Sequence, residues 1–537
     1  MKSLSVFLLL LALLISCYSY KILVYSNLFG HSHVKVLGAV ADTLTDAGHN
    51  VTVLMPVFDP QLRSRNSLKS TKNTIHVDAA DSVPDIMVQM NTFLASLWTT
   101  NNGNPIMAIT KASNMTRMFS DQCAKVLSEP GLLDRLRAEN YDLAITEPFD
   151  LCAYALFEAI DIRAHVAVLA ASRFDHVSDA IGQPSAASYV PGTQSTFSDR
   201  MSIVQRFGNY MQYFFGSYFF ATIGDAEYKA AREVLPSLKR SWRETLPEAS
   251  FILTNQIPLM DFPAPTFDKI VPIGGLSVKT DKKSLKLEEK WTKILGIRKN
   301  NVFISFGSNV KSVDMPEEFK KSLLEVFKAM SDTTFIWKYE NEKDTIVDHL
   351  DNVYLGEWLP QNELLADPRL TVFLTHGGLG SVTELAMMGK PAVMIPLFAD
   401  QGRNGEMLKR HGGALVLNKN DMGNPKLVQE TLEKIIKDPS YRKNAERLAE
   451  MLTNQPTNPR ETLVKYVEFA ARFGKLPSLD NYGRHQSYIE YFFLDIIAIG
   501  TFITLITLYI SYRILKALVR KVFCSRCSSK NSKSKSE

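Results

Sequence analysis

The stretch Trp358–Gln401, WLPQNELLADPRLTVFLTHGGLGSVTELAMMGKPAVMIPLFADQ, concentrates side chains suited to a charged, hydroxyl-rich ligand. Its segment FLTHGGLGS carries an apolar run through His376, Gly377, Gly378 and Gly380 into a helical pattern. Glycines let backbone N–H groups approach a ligand closely, and a helix N-terminus carries about half a positive charge. With the Ser381 hydroxyl and the His376 imidazole, this is a cradle for a pyrophosphate. Glu384, about a turn further on, suits ribose hydroxyls. Trp358 offers a stacking face and Gln361 an amide for a base or ribose edge. Asp400 and Gln401 place a carboxylate beside an amide, a pairing suited to vicinal sugar hydroxyls. Ser308, after FISFG, adds another loop on the same rim. Base, pyrophosphate and sugar contacts together describe a nucleotide-sugar. Neither Gly-x-Gly-x-x-Gly nor Gly-x-x-x-x-Gly-Lys-Ser/Thr occurs, so dinucleotide and P-loop chemistry is not indicated.

Those loops need rigid strands behind them. YKILVYS (20–26), a helical pattern over 34–47, a stop at Gly48 and NVTVLMP (50–56) make a βαβ unit, hence a parallel sheet. YDLAITEP (141–148), AHVAVLA (164–170) and FILTN (251–255) read as further core strands. Ile273–Lys290 turns from glycine to charge and reads as a linker. A second βα series follows with strands at 301–308, 333–339, 352–355, 371–378 and 391–396, and helices at 316–330 and 379–388. Asp314 is expected to cap the first of those helices. Each strand is a short apolar run ending in a polar or glycine-rich loop, the doubly wound pattern whose ligands sit at the carboxyl ends of strands. The expectation is an α/β chain with two Rossmann-like domains facing a cleft. The aromatic run Phe207–Phe220 reads as buried helix, with a pocket wall or membrane-touching surface as the alternatives.

The chain has 537 residues and a net charge of +5. Eight Lys/Arg and one Glu fall in 513–537, so the remaining chain is weakly acidic and no nucleic-acid surface is implied. Five cysteines do not make a disulfide framework. Cys123 and Cys152 are available to pair, which sequence alone leaves open. Cys524 and Cys527 sit beside the expected membrane segment, the setting of S-palmitoylation. Residues 1–19 read as a secretory signal peptide, with Lys2 ahead of an apolar run from Leu4 to Ile15. Residues 491–512 are long enough to cross a bilayer, and Arg513, Lys516, Arg520 and Lys521 follow at once. The positive-inside rule makes this a single-pass type I protein with a cytosolic tail. Lys533 and Lys535 resemble a dilysine retrieval signal, which points to the endoplasmic reticulum membrane. Asn50 and Asn114 lie in glycosylation sequons, and Asn114 is favoured because Asn50 opens an expected strand.

The Trp358–Gln401 stretch looks like the signature of the UDP-glycosyltransferase superfamily. With the leader and the C-terminal span, the whole chain resembles an animal membrane-bound UDP-glucuronosyltransferase. The resemblance implies a GT-B fold: signal peptide 1–19, acceptor domain 20–276, linker 277–290, UDP-sugar domain 291–475, juxtamembrane segment 476–490, transmembrane helix 491–512 and basic tail 513–537. In the family a His after the first strand is the general base, and here the match is His33, near His31. It is paired with an acidic residue after a later strand; the match is Glu147, where many relatives carry Asp, with Asp150 as a weaker substitute. Relatives often have Asn at Gly380, and glucuronate users often have Arg at Thr254, which favours a neutral sugar here. The implied reaction is metal-independent inverting transfer from UDP-glucuronate or UDP-glucose to a small lipophilic acceptor, with no cofactor beyond the co-substrate. A homo- or hetero-oligomer is compatible with this. The contrasting alternative is a non-catalytic UDP-sugar- or lipid-binding membrane protein that keeps the fold.

Overall fold

A computed structural model describes residues 19–100, 105–279, 281 and 284–531. The expected signal peptide, apart from Ser19, and the two tail lysines Lys533 and Lys535 lie outside the described residues. The chain divides into one unit ending at Asp480 and a second from Asn481 onward.

The first unit holds two parallel sheets. One comprises β1 (Lys21–Tyr25), β2 (Asn50–Pro56), β3 (Asn73–Val77), β4 (Leu143–Thr146), β5 (His165–Leu169), β6 (Ile252–Thr254) and β7 (Ile270–Pro272), in the spatial order 3-2-1-4-5-6-7. The other comprises β8 (Asn300–Ser305), β9 (Thr333–Lys338), β10 (Val353–Gly356), β11 (Val372–Thr375), β12 (Ala392–Met394) and β13 (Ala414–Val416), in the order 10-9-8-11-12-13. Every pairing within them is parallel. Strands such as LAIT and VFLT are buried along their whole length because helices cover both faces. This is the doubly wound pattern expected from the short apolar runs. The strand order reverses between β1 and β4 in one sheet and between β8 and β11 in the other, and ligands of such sheets bind at those switch points.

Chain order and packing do not coincide at the expected domain boundaries. The helix Pro459–Phe473, assigned by sequence to the 291–475 domain, buries Leu463, Val467, Ala470 and Ala471 in one core with Ile22 and Val24 of β1. In the opposite direction Ile257, Met260 and Phe262, expected within 20–276, pack with Phe303 and Phe373 of the second sheet. Leu97 and Trp98 also join the second core, and the Trp98 indole N–H donates to the Lys311 carbonyl at 3.0 Å. The packing shows two cores with reciprocal exchange of segments. Apolar side chains at the ends of each half are buried where the other half offers a matching face.

Asp314 lies in a 3-10 turn at Ser312–Asp314, and the helix starts at Glu317 with Pro316 in the N-cap position, two residues later than a cap at Asp314 requires. The aromatic run lies in the helix Ile203–Val234. It is not a buried helix: Phe207, Phe214, Phe215 and Tyr218 are more than half exposed, while Ile223 and Tyr228 further along are buried. Cys123 and Cys152 form a disulfide between the helices Pro105–Ser128 and Cys152–Ala159.

In the second unit, the short helix Tyr488–Tyr491 ends before Phe493, whose φ is 55°. The long helix starts at Leu494, not 491, and runs to Asn531. Its portion Leu494–Cys524 has 31 residues, contains an 18-residue window of mean hydropathy 1.9 that is not buried within the protein, and is long and apolar enough to cross a membrane.

Candidate active site

The switch point of the first sheet assembles His33 and Glu147. β1 ends at Tyr25, and Gly30, at φ 72°, turns the chain into the helix His31–Asp46. β4 ends at Thr146, which delivers Glu147 beside that helix. His33 Nδ1 lies 2.8 Å from Glu147 Oε2. Glu147 is buried, and its other oxygen accepts the Ala170 N–H at 2.8 Å, so the carboxylate is fixed from behind by the end of β5. An ionised carboxylate only accepts, so Nδ1 carries the proton and Nε2 keeps a lone pair. Among the described residues Nε2 has no hydrogen-bond partner. Burial pulls the His33 pKa down, but the charge and hydrogen bond of Glu147, helped by the charge of Asp400, leave it raised above 6.5.

Asp150 is not the partner of His33. It accepts from Asn27 Nδ2 at 2.5 Å and from the Cys152 N–H at 2.7 Å, which turns it to the other side of the loop. His33 and Glu147 line a narrow recess with Tyr25, Asn27, Phe29, Leu37, Thr146 and Phe149. The Phe149 ring lies 4.9 Å from the His33 ring and 5.3 Å from that of Phe220, and Phe29, Phe58 and Phe119 continue the aromatic cluster. The recess is therefore basic at one atom and apolar around it.

The switch point of the second sheet assembles the other set. Gly378 is the N-cap of the helix Leu379–Met388 and no side chain caps it. The first N–H satisfied within that helix is that of Val382, which donates to the Gly378 carbonyl, so the N–H groups ahead of it are turned to the mouth. Gly377 has φ 89°, and a Cβ there would lie 3.1 Å from the Gln401 carbonyl oxygen. At Gly380 a Cβ would meet nothing within 4 Å. The His376 ring packs against Gly307 and Gly378, and burial, ahead of a smaller effect of Lys338, lowers its pKa to about 4. It is thus neutral, and the positive potential of the cradle comes from the helix end.

Gln361 Nε2 donates to Ser381 Oγ at 3.1 Å and to Glu384 Oε2 at 2.6 Å, which ties three expected contacts together. Glu384 sits in the second turn, buried, with its other oxygen held by Lys35 Nζ at 2.5 Å. Trp358 is exposed, at 6.2 Å from His31 in an edge-on geometry and with the Arg65 guanidinium 5.7 Å from its ring. Ser308 is exposed on the loop after β8. Asp400 occupies the N-cap position ahead of the helix Gln401–Arg410 without a side-chain capping bond, and accepts Asn404 Nδ2 at 2.9 Å; burial raises its pKa. Gln401 is buried and its side-chain oxygen accepts the N–H groups of Leu397 and Phe398. That oxygen is committed to the loop, so only the amide nitrogen of Gln401 remains for a ligand.

The two sequons differ in setting. Asn50 is exposed at the start of β2, while Asn114 sits inside a helix and donates to Gln89 at 2.8 Å. Among the described residues no group of three or more His, Cys, Asp or Glu side chains is arranged to hold a metal ion.

The family described as "UDP-glucoronosyl and UDP-glucosyl transferase" matches residues 20–529. The chain belongs to this family. It is 27% identical to the putative UDP-glucuronosyltransferase ugt-47 of Caenorhabditis elegans, over 89% of each protein. It is also 27% identical to UDP-glucuronosyltransferase 1A8 of Rattus norvegicus, over 92% of this chain and 91% of the relative. Among solved structures it is similar to the calicheamicin glycosyltransferase CalG4, with a TM-score of 0.57, 15% identity and coverage of 85% of this chain and all of that one. Two parallel sheets in the GT-B arrangement and this family membership make the protein a glycosyltransferase of the UDP-sugar class.

Three contacts of the candidate site in this glycosyltransferase escape sequence reading. Lys35 is two residues from His33 and carries no spacing signal toward Glu384. Arg403, buried, pairs with Asp261 at 2.7 Å and donates to the Pro191 carbonyl and Ser172 Oγ, so it locks the helix after Asp400 onto the first half. Asn404 links Asp400 to the Gly377 carbonyl at 3.0 Å, and its i+4 spacing from Asp400 is the signal that could have revealed it.

Proposed function

We propose that the enzyme transfers glucuronic acid or glucose from its UDP-sugar to a hydroxyl of a small lipophilic acceptor, with inversion and with His33 as general base. The observation that carries the reading is the 2.8 Å contact between His33 Nδ1 and a buried, doubly held Glu147, with Nε2 left free in an aromatic recess. An acceptor hydroxyl against Nε2 gives its proton to the imidazole. Its oxygen attacks the anomeric carbon from the face opposite UDP, and the bond from that carbon to the β-phosphate oxygen breaks. The electron pair leaves on UDP, whose added charge meets the N–H groups ahead of Val382 and the Ser381 hydroxyl. Glu147 orients the imidazole and stabilises the imidazolium it becomes, the role a carboxylate plays in a catalytic triad. Trp358 and Gln361 suit the uracil and ribose, and Asp400 with the Gln401 amide suits the sugar.

Thr254 presents no cation to a glucuronate carboxylate: it is buried in β6 and its hydroxyl has no partner among the described residues. That supports a neutral sugar, while the identity of the relatives supports glucuronate. The phenylalanines around His33 support a lipophilic acceptor. The apolar helix, with the leader and lysine tail read from sequence, supports a type I protein of the endoplasmic reticulum membrane. On that reading Asn50 is the better exposed acceptor for a glycan.

His33→Ala tests the mechanism: transfer falls to background while UDP binding stays within about twofold of the unaltered enzyme. Transfer that survives the substitution removes His33 from the base role.

A further inference from the structure

Lys35 lies on the helix that carries His33, yet it bonds to the opposite half of the unit. Its Nζ is 2.5 Å from Glu384 Oε1, and the Glu384 side chain is 4% exposed against 31% for Lys35. The other Glu384 oxygen takes Gln361 Nε2, which also reaches Ser381 Oγ in the first turn of the cradle helix. The ammonium is thus joined by a short chain of hydrogen bonds to the place where a diphosphate binds. Other cations nearby are differently engaged: Lys338 pairs with Glu340 at 2.7 Å, and Arg65 faces the Trp358 ring. His376 is neutral.

The charge count makes this pairing informative. A nucleotide-sugar diphosphate brings about two negative charges, against roughly half a positive charge at a helix N-terminus. Glu384 would add a third negative charge beside it. In the free enzyme Lys35 cancels Glu384. When ribose hydroxyls donate to Glu384, they compete with Lys35 for the same oxygens, and the diphosphate is then the strongest attractor for a flexible ammonium. Exchanging partners leaves neither the buried carboxylate nor the lysine without a counterpart. It also puts a cation where charge grows as the anomeric bond breaks, in a site whose described residues offer no metal-ligand cluster.

We propose that Lys35 is a donor-responsive cation: it holds Glu384 in the free enzyme and passes to the diphosphate of the bound nucleotide-sugar once the ribose claims that carboxylate. The inference rests on the reading of the Trp358–Gln401 rim as the UDP-sugar site. It assigns the acceptor-side helix a part in donor binding. Donor arrival then also breaks the Lys35–Glu384 tie between the halves, so nucleotide occupancy is coupled to the setting of the helix that carries His33.

The experiment compares UDP with uridine, which keeps the base and ribose and lacks the phosphates. Full-length wild type, Lys35→Gln and Lys35→Arg are titrated with each ligand calorimetrically, in lipid nanodiscs. A charge-assisted hydrogen bond to phosphate corresponds to roughly a 10- to 100-fold change in affinity. Lys35→Gln is expected to weaken UDP binding by that factor and to leave uridine within about twofold or tighter, since Glu384 is released for the ribose. Lys35→Arg, which keeps the charge, holds UDP binding within about threefold of wild type, and the uridine binding that Lys35→Gln retains excludes a folding defect as the cause of its loss. Parallel losses for UDP and uridine would make Lys35 a structural tie only and overturn the proposal, as would no change in UDP binding. Wild type that binds neither ligand would instead overturn the donor-site reading itself.

Discussion

Replacing Glu147 by Gln changes one atom and one charge at the centre of the proposed mechanism. The carboxylate acts on His33 through a 2.8 Å contact and has only 6% exposure, so its charge is poorly screened. An opposite charge this close shifts a pKa by about 1–3 units, and each unit is worth about 1.4 kcal/mol. In the native site burial lowers the His33 pKa, Glu147 overrides it, and the balance lies above 6.5. A general base works when unprotonated, so log kcat/KM falls as pH drops through that pKa, and the acid limb of the native enzyme lies above pH 6.5. In the Glu147→Gln variant burial dominates, Asp400 offsets it only in part, and the acid limb moves below pH 6.5, a displacement of about 1–3 units. The plateau falls by about 10²- to 10⁴-fold, the range for general base catalysis. The assay is kcat/KM for a phenolic acceptor between pH 5 and 9, with UDP binding as the control for folding. Glu147→Asp serves as the length test. Shortening the side chain by one carbon, about 1.5 Å, prevents simultaneous contact with His33 and the Ala170 N–H, so activity falls at least tenfold although the charge is kept. A lower plateau with an unmoved acid limb in Glu147→Gln would refute the pairing and leave Glu147 as a prop for the β5 loop.

Gly377→Ala places a Cβ 3.1 Å from the Gln401 carbonyl at φ 89° and is expected to cost about 1–3 kcal/mol of stability and most UDP affinity, read by thermal melting and calorimetry. Gly380→Asn enters open space in the first helical turn and is expected to tighten UDP binding, with a stability gain of about 0.5 kcal/mol from removing a helical glycine. Removing the Cys123–Cys152 disulfide, which spans 29 residues, is expected to cost about 3–4 kcal/mol, seen as a lower melting temperature that reducing agent does not lower further.

Much of the fold was legible because its strands are short apolar runs ending in polar loops. Val372–Thr375 and Leu143–Thr146 could be read directly, and their next residues, His376 and Glu147, are candidate site residues. The strands that escaped are peripheral: β3 and β7 at the edges of the first sheet, and β13 at an edge of the second. In β7 and β13 only three residues pair, too few for alternation to emerge, and NTIHV of β3 lies in a region without a clean period. Exchange of segments between the cores was not legible, because the apolar face of Pro459–Phe473 reads the same whichever sheet it covers. The position of Gln401 was legible but the commitment of its side-chain oxygen to the Leu397 and Phe398 N–H groups was not, since a turn's internal bonds depend on its three-dimensional course. Lys35 was invisible for a related reason: its partner lies 349 residues away and on the other sheet's helix.

The central claim is transfer of a sugar from UDP to an acceptor hydroxyl, and product formation tests it most directly. Membranes expressing the full chain, incubated with a simple phenol and either UDP-glucuronate or UDP-glucose, are examined for conjugate by mass and for its anomeric configuration. The account predicts a β-glycoside from at least one donor, with UDP-glucose favoured by Thr254, and none from membranes carrying His33→Ala. UDP binding without conjugate from either donor across a broad panel of hydroxylated lipophilic acceptors would contradict it.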